Sequence, residues 1–397
     1  MEAESKEVRA PALQEHLSRW GLQRFISDDR YFEWQRRHLS PSELTSLHDL
    51  IDRKRRGLLV DEIAFYDATA SPRVLPVLYS QRYEYYVEVG SRIAARLGDA
   101  KTILDYGCGV GILTTYYASL HPDRTVVGLD RSPRSIERAR ERAAEFCLKN
   151  VRFECLDLMH TEGEGTYDLI VSTHALVQSE QDPGVPSRDW RTFTRDFDPA
   201  EQRRFEERTG IGGRLNRLAA SLDPHGRMIL FEKTRQLARR VPFQRALAAR
   251  GLSLIEQPEP IRYTQVEEVS EDGPLYVVRK DGFPAVEWNE SPEPDEGMPV
   301  DPSLIRGRKQ VSEEPLYENH HPSAQWAWEK LERRTVLRET TKSEPDGRQM
   351  HVELGEADEG IYLYCANTFD QRQLVIVDSL HAASIETYYR EILGETP

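Results

Sequence analysis

Asp105, Gly107, Gly109 and Gly111 stand at alternate positions where the apolar run Ile103-Leu104 ends. A glycine lacks Cβ, so backbone amides at such a turn approach a ligand closely and take angles that other residues avoid. The spacing reads as a ligand-cradling loop with a carboxylate beside it. A helix expected from about Ile112 to Leu120 points its positive N-terminal end at whatever the loop holds. Two more acids end apolar runs downstream: Asp130 after Thr125-Val126-Val127-Gly128-Leu129, and Asp157 after Val151-Arg152-Phe153-Glu154-Cys155-Leu156. Asp130 is placed to accept hydrogen bonds from both ribose hydroxyls of a nucleoside, and Asp157 to face the amine of an adenine. A strand-terminal acid is also a common helix cap, but three in register are harder to read that way.

Such residues need a scaffold that brings several strand ends together. Tyr167-Asp168-Leu169-Ile170-Val171-Ser172 reads as a fourth buried strand and Gly226 to Glu232 as a fifth. Ser132-Pro133 forms an N-cap and first-turn pair opening a charged helix to about Leu148. Strands alternating with helices predict a doubly wound α/β sheet, mostly parallel, with ligand at the carboxyl ends of its strands.

The ordered motifs resemble the class I S-adenosylmethionine-dependent methyltransferases over about Tyr83 to Lys280. A nicotinamide-binding loop would carry glycine or alanine where Ile112 stands. The family's loop is acid-x-G-x-G-x-G, which Asp105, Gly107, Gly109 and Gly111 match. The resemblance implies a seven-stranded Rossmann-like sheet with an antiparallel final hairpin, for which 251–256 and 273–279 are the candidates. It also implies S-adenosyl-L-methionine as cofactor, its amino acid part held by Asp105 and the loop residues Gly107, Cys108, Gly109 and Gly111. Its ribose falls to Asp130 and its adenine to Asp157, and Arg131, Leu158 and Ser172 complete the expected binding set.

The fourth-strand exit Ser172-Thr173-His174-Ala175-Leu176 would lie beside the reacting methyl. His174, with an ordinary pKa near 6.5, is the candidate catalytic base for a hydroxyl or amine acceptor; the alternative is that it only packs there. A carboxylate acceptor needs no base. The Asn/Asp-Pro-Pro-Tyr sequence of base-directed amino methyltransferases and a paired-glutamate loop are both absent, so the expected acceptor is a small molecule or an accessible protein side chain. Two rivals stay open: a cofactor-binding regulatory or scaffold protein without turnover, and another transferase using the same cofactor.

Composition narrows the partners. Asp and Glu number 67 against 53 Lys and Arg, a net charge of −14 over 397 residues, which opposes broad binding to a phosphate backbone. No apolar stretch suits a signal peptide or a bilayer span, so neither nucleic acid nor membrane is expected as a partner and a cytoplasmic location is. Four scattered cysteines, Cys108, Cys147, Cys155 and Cys365, suit neither a disulfide framework nor a zinc site. His320, His321 and His351 lack ligand spacing, so no metal is expected.

Four regions follow. Residues 1–80 are expected as a helical cap, with Ser40-Pro41-Ser42-Glu43 a capping box and Gly57 a C-cap. Residues 81–282 carry the cofactor domain; on or just before its first helix, about 81–97, Tyr79, Tyr83, Tyr85 and Tyr86 are either core or the lining of a substrate chamber. The long connection 178–213, with Trp190, Phe193 and Phe197, reads as a substrate lid hinged at Gly210-Ile211-Gly212-Gly213. A proline- and acid-rich linker, 283–302, precedes a small α+β domain, 303–397, whose default role is docking to a partner or homo-oligomerisation.

Overall fold

The computed structural model describes residues 13–157, 165–177, 182–280, 285–293, 297–345 and 347–394. Two compact units emerge: Met1–Asp182 with Arg203–Arg235 and Phe243–Trp288, and Pro183–Gln202 with Gln236–Pro242 and Asn289–Pro397.

The first unit is built on strands β1 (Thr102–Tyr106), β2 (Thr125–Asp130), β3 (Val151–Cys155), β4 (Tyr167–Thr173), β5 (Leu222–Phe231), β6 (Leu252–Leu254), β7 (Glu259–Pro260) and β10 (Pro274–Lys280). Their order is β3-β2-β1-β4-β5-β10-β6, with β7 pairing β10 as well. The first five run parallel, and β10 runs antiparallel to β5, β6 and β7. The expected Rossmann-like sheet with its reversed final hairpin is therefore present, with eight strands among the described residues where seven are expected, because the two-residue β7 also pairs with β10. The central strands β1 and β4 are mostly apolar and buried, with Asp105 and Ser172 the buried polar exceptions near their carboxyl ends. Register sets Asp105 opposite Gly128 on β2 and Val171 on β4, which levels the strand ends that carry the chemistry.

Helices α1 (13–19), α2 (Asp28–His38), α3 (Pro41–Arg55), α4 (Leu59–Thr69), α5 (Leu75–Ser80) and α6 (Tyr83–Ala94) precede the sheet. The capping box that opens α3 is closed in both directions, Glu43 N–H donating to Ser40 Oγ at 3.3 Å and Ser40 N–H to Glu43 Oε2 at 2.7 Å. Gly57 ends that helix region at φ +81°. Helix α7 (Ile112–Leu120) follows β1 and α8 (Pro133–Glu145) follows β2, the latter capped by Ser132, whose hydroxyl accepts from Ser135 N–H at 3.1 Å. Leu13, Trp20, Val89, Ile93, Ile103, Tyr117 and Ile229 share one buried core, where each large apolar side chain contributes about 1.5–3 kcal/mol. A short hairpin not expected from the sequence, β8 (Tyr263–Gln265) with β9 (Glu268–Ser270), stands between β7 and β10.

The connection expected as a lid divides between the units. Residues 183–202 belong to the second, while helix α9 (Pro199–Thr209) leads through Gly210, at φ +68°, into α10 (Ile211–Ser221). Three of the four expected hinge residues lie inside α10, and 178–181 lie outside the described residues. Helix α11 (Leu237–Ala248) follows β5.

The second unit holds a five-stranded antiparallel sheet, β11 (Tyr317–His320), β15 (Arg372–Val377), β14 (Gly360–Asn367), β13 (Gln349–Ala357) and β12 (Thr335–Ser343) in spatial order, with α12 (His321–Glu329) and α13 (Ala382–Leu393). The expected meander is there, with β11 added at its edge. Segment 183–202 is held to it by polar burial and stacking: Arg195 pairs with Asp370 at 2.6 Å, Ser187 N–H donates to Thr368 O at 2.8 Å, and Trp190 stacks on His351 at 3.6 Å. These contacts make the segment an element of this unit. Within the stretch expected as a linker, Ser291 O accepts from the buried Arg240 guanidinium at 2.6 Å and Glu293 lies 3.4 Å from it, while 283–284 and 294–296 lie outside the described residues. No helix among the described residues is long and apolar enough to cross a membrane.

Candidate functional site

The loop after β1 is folded by its own backbone. Gly107 and Cys108 N–H groups donate to Leu129 O at 2.8 and 3.0 Å, and Gly111 N–H to Cys108 O at 2.9 Å. All three glycines take positive φ, at 75°, 54° and 82°. A Cβ built on Gly109 meets nothing within 4 Å, so this residue faces open space, whereas one on Gly107 would lie 2.2 Å from Ala175 Cβ. The β2 acid holds the loop from the other side: Asp130 accepts from Gly109 N–H at 2.9 Å and Ser132 N–H at 2.8 Å.

Above this loop lies a cavity of about 990 Å³, counted to its open mouth, with Asp105, Gly107, Cys108, Gly109, Asp130, Arg131, Asp157 and His174 in its wall. Eight of the residues expected from sequence are thus brought together. Gly111 serves the turn below, Leu158 lies outside the described residues, and Ser172 is fully buried with its hydroxyl donating to Glu232 Oε1 at 2.9 Å.

The helical cap supplies the opposite wall through Glu62, Tyr66, Tyr79, Arg82, Tyr85 and Tyr86. Of the four tyrosines singled out in the sequence, three line the cavity and Tyr83 packs against the core. Tyr66, Glu62 and Arg82 were not anticipated. Cap and loop are stitched together by Glu62 with Arg131 at 2.6 Å and by the Ser132 hydroxyl donating to Asp67 at 2.6 Å.

Burial raises the Asp105 carboxyl to about 6, although the Thr114 hydroxyl donates to it at 2.5 Å. Burial also raises Asp130 against its two amide donors. Carboxylates raised in this way gain from a cationic or hydroxyl-bearing ligand that replaces lost solvation.

A second cavity, about 810 Å³ to its mouth, is walled by Lys54, Tyr66, Arg82, His174, Val177, Lys233, Tyr263, Gln265, Ser270 and Asp272. Tyr66, Arg82 and His174 belong to both walls. The hairpin β8–β9 and the turn after it deliver Tyr263, Gln265, Ser270 and Asp272, which a short polar stretch of sequence gave no periodic signal to find.

His174 sits at φ +54°, a conformation uncommon outside glycine, and its ring stacks on Tyr85 with centroids 5.1 Å apart. An Arg82 N–H donates to Nδ1 at 2.9 Å, so Nδ1 is the acceptor and the proton resides on Nε2, which faces Asp272 Oδ2 at 3.1 Å. Burial pushes the imidazole down to about 4 against the raising effect of Asp272, with the Arg82 charge adding to the lowering. Burial alone would raise Asp272, but the adjacent His174 ring and the hydrogen bond from the Tyr263 hydroxyl outweigh it and hold its carboxyl well below the usual range. At pH 7 the ring is neutral and its lone pair is occupied.

A family model described as a methyltransferase domain matches residues 97–195. Over 127 residues the chain is 37% identical to a malonyl-[acyl-carrier protein] O-methyltransferase of Acetivibrio thermocellus, covering 27% of this chain and 44% of that protein. It is 29% identical over 163 residues to a release factor glutamine methyltransferase of Vibrio cholerae, covering 40% and 56%. The chain thus spans about half the length of these curated relatives. Among solved structures, an O-methyltransferase of a polyketide synthase from Brevibacillus brevis, in complex with S-adenosyl-L-homocysteine, aligns over 54% of this chain and 79% of its own at 16% identity and a TM-score of 0.36.

Proposed function

We propose that this chain, whose core is a class I S-adenosylmethionine-dependent methyltransferase domain, binds S-adenosylmethionine in the cavity over the glycine loop and transfers its methyl group to an acceptor in the adjoining cavity. One observation carries the reading: Asp105, the open face of Gly109, Asp130 and Asp157 line a single space at the carboxyl ends of adjacent parallel strands. When bound, the cofactor supplies a methyl on a positively charged sulfur. Asp105, ionised above about pH 6, then faces the ammonium, Asp130 the ribose hydroxyls and Asp157 the adenine edge. The aromatic wall of Tyr66, Tyr79, Tyr85 and Tyr86 excludes water, so that alignment supplies most of the acceleration. In this reading His174 is a positioning residue fixed between Arg82 and Asp272, because its lone pair is taken.

Calorimetry tests the cofactor assignment. S-adenosylhomocysteine should bind and NAD should not, and Asp130→Ala should weaken S-adenosylhomocysteine by about 1–3 kcal/mol, the range for lost hydrogen bonds to an ionised group. Tighter binding of NAD, or unchanged affinity in the folded variant, would sink it.

A further inference from the structure

Resting on the methyltransferase reading, we infer that the second cavity takes an anionic acceptor and that the atom methylated is a carboxylate oxygen. Three cationic side chains, Lys54, Arg82 and Lys233, stand in its wall against one carboxylate, Asp272. That carboxylate is already engaged within the wall, by His174 Nε2 at 3.1 Å and by the Tyr263 hydroxyl. Arg82 makes no ion pair with any described residue. Its guanidinium lies over the Tyr85 ring at 4.1 Å and spends one N–H on His174, out of the five such a group carries. Lys54 lies over the Tyr66 ring at 5.1 Å, at the same wall. A concentration of positive charge in a chain of net charge −14 selects against cationic acceptors, since like charges at a desolvated site repel strongly.

The second observation concerns protons. A hydroxyl or ammonium acceptor must lose one, and the imidazole that borders both cavities offers no lone pair to take it. Tyr66 and Tyr263 are phenols that burial holds protonated well above their usual range. A carboxylate acceptor removes the requirement. Its oxygen lone pair forms the new O–CH3 bond while the C–S bond breaks and returns its electron pair to sulfur. The acceptor's negative charge and the sulfonium's positive charge cancel, so the step releases no proton. Arg82, Lys54 and Lys233 hold the carboxylate until then, and their attraction for it relaxes as the neutral ester forms, which favours release.

The test uses the full chain, methyl-labelled S-adenosylmethionine and a library of small di- and tricarboxylic acids, each paired with its neutral amide. Label should pass to an acid and not to its amide, and mild alkali should free it as methanol, as it does from an ester. In protein saturated with S-adenosylhomocysteine, calorimetry should show that acid binding; Lys54→Gln and Lys233→Gln should each weaken it about 3–10-fold while leaving S-adenosylhomocysteine affinity unchanged, because neither residue lines the cofactor cavity. Alkali-stable label, label on an amide, acid binding insensitive to both substitutions, or no acid bound or methylated would each overturn the anionic acceptor. If S-adenosylhomocysteine itself fails to bind, the reading beneath falls instead.

Discussion

Glu232→Ala lowers the free energy of unfolding by about 3–5 kcal/mol in a denaturant titration. Glu232 follows β5 and is wholly buried, and its carboxylate accepts from the Ser172 hydroxyl at 2.9 Å and from the N–H groups of Ala175, Leu176 and Val177 at 3.3, 3.1 and 3.1 Å. It is the anchor of the β4 exit, the segment that carries His174 into both cavities. Removing it strands three backbone donors in the interior, each costing about 1–3 kcal/mol before any water enters. Glu232→Gln, which keeps one acceptor oxygen, should lose less. Burial raises the Glu232 carboxyl to about 7 despite its donors. The fold thus keeps a proton that the unfolded chain releases near 4.5, and the resulting stability, full below that pH, declines as pH rises to about 7. Glu232→Gln should flatten that decline. A loss below about 1 kcal/mol in Glu232→Ala would show that the exit holds itself.

Gly107→Ala is expected to cost about 2–5 kcal/mol of stability. Its φ of +75° charges any L side chain about 1–2 kcal/mol, and the new Cβ would lie 2.2 Å from Ala175 Cβ, forcing the β4 exit or the loop to move at about 1–3 kcal/mol more. Gly109→Ala is the informative partner. Its φ is +54° but its Cβ would meet no atom within 4 Å, so stability should fall by only about 1–2 kcal/mol. The methyl would instead occupy the space assigned to the cofactor, and S-adenosylhomocysteine affinity should drop at least about tenfold in protein that remains folded. Thermal unfolding and calorimetry on both variants separate the two effects. Equal destabilisation with unaltered binding in Gly109→Ala would mean that the loop's open face does not meet the ligand.

Local signals were legible where one short segment does the whole task. The alternating glycines, the acids ending β1 and β2, the Ser40 capping box and the Ser132 cap each depend on neighbours in sequence, and α7 begins and ends where its pattern says. What sequence did not reveal depends on residues far apart. Arg82, His174 and Asp272 meet from a helix N-cap, a strand exit and the turn after β9, and no local periodicity relates those positions. Sequence alone leaves His174 as either a base or a packing residue, and the Arg82 N–H on its Nδ1 is what favours the second. Likewise the connection that contains Trp190 and Arg195 reads from sequence as a substrate lid, but the partners of these two residues, His351 and Asp370, lie more than 150 residues later. An apolar run in a polar loop signals burial without saying against what. The resemblance implies Ser172 in the binding set, yet its buried hydroxyl donates to Glu232 Oε1.

Backbone hydrogen exchange of the full chain, with and without saturating S-adenosylhomocysteine, locates the cofactor directly. Slowed exchange is expected at 105–113 and 129–133, where the loop and the β2 exit face the cavity, and along α4 and the start of α6, which supply Glu62, Tyr66, Arg82, Tyr85 and Tyr86. Exchange at 105–113 that is unchanged by a saturating ligand, or protection confined to 317–377, would contradict a cofactor cavity over the glycine loop.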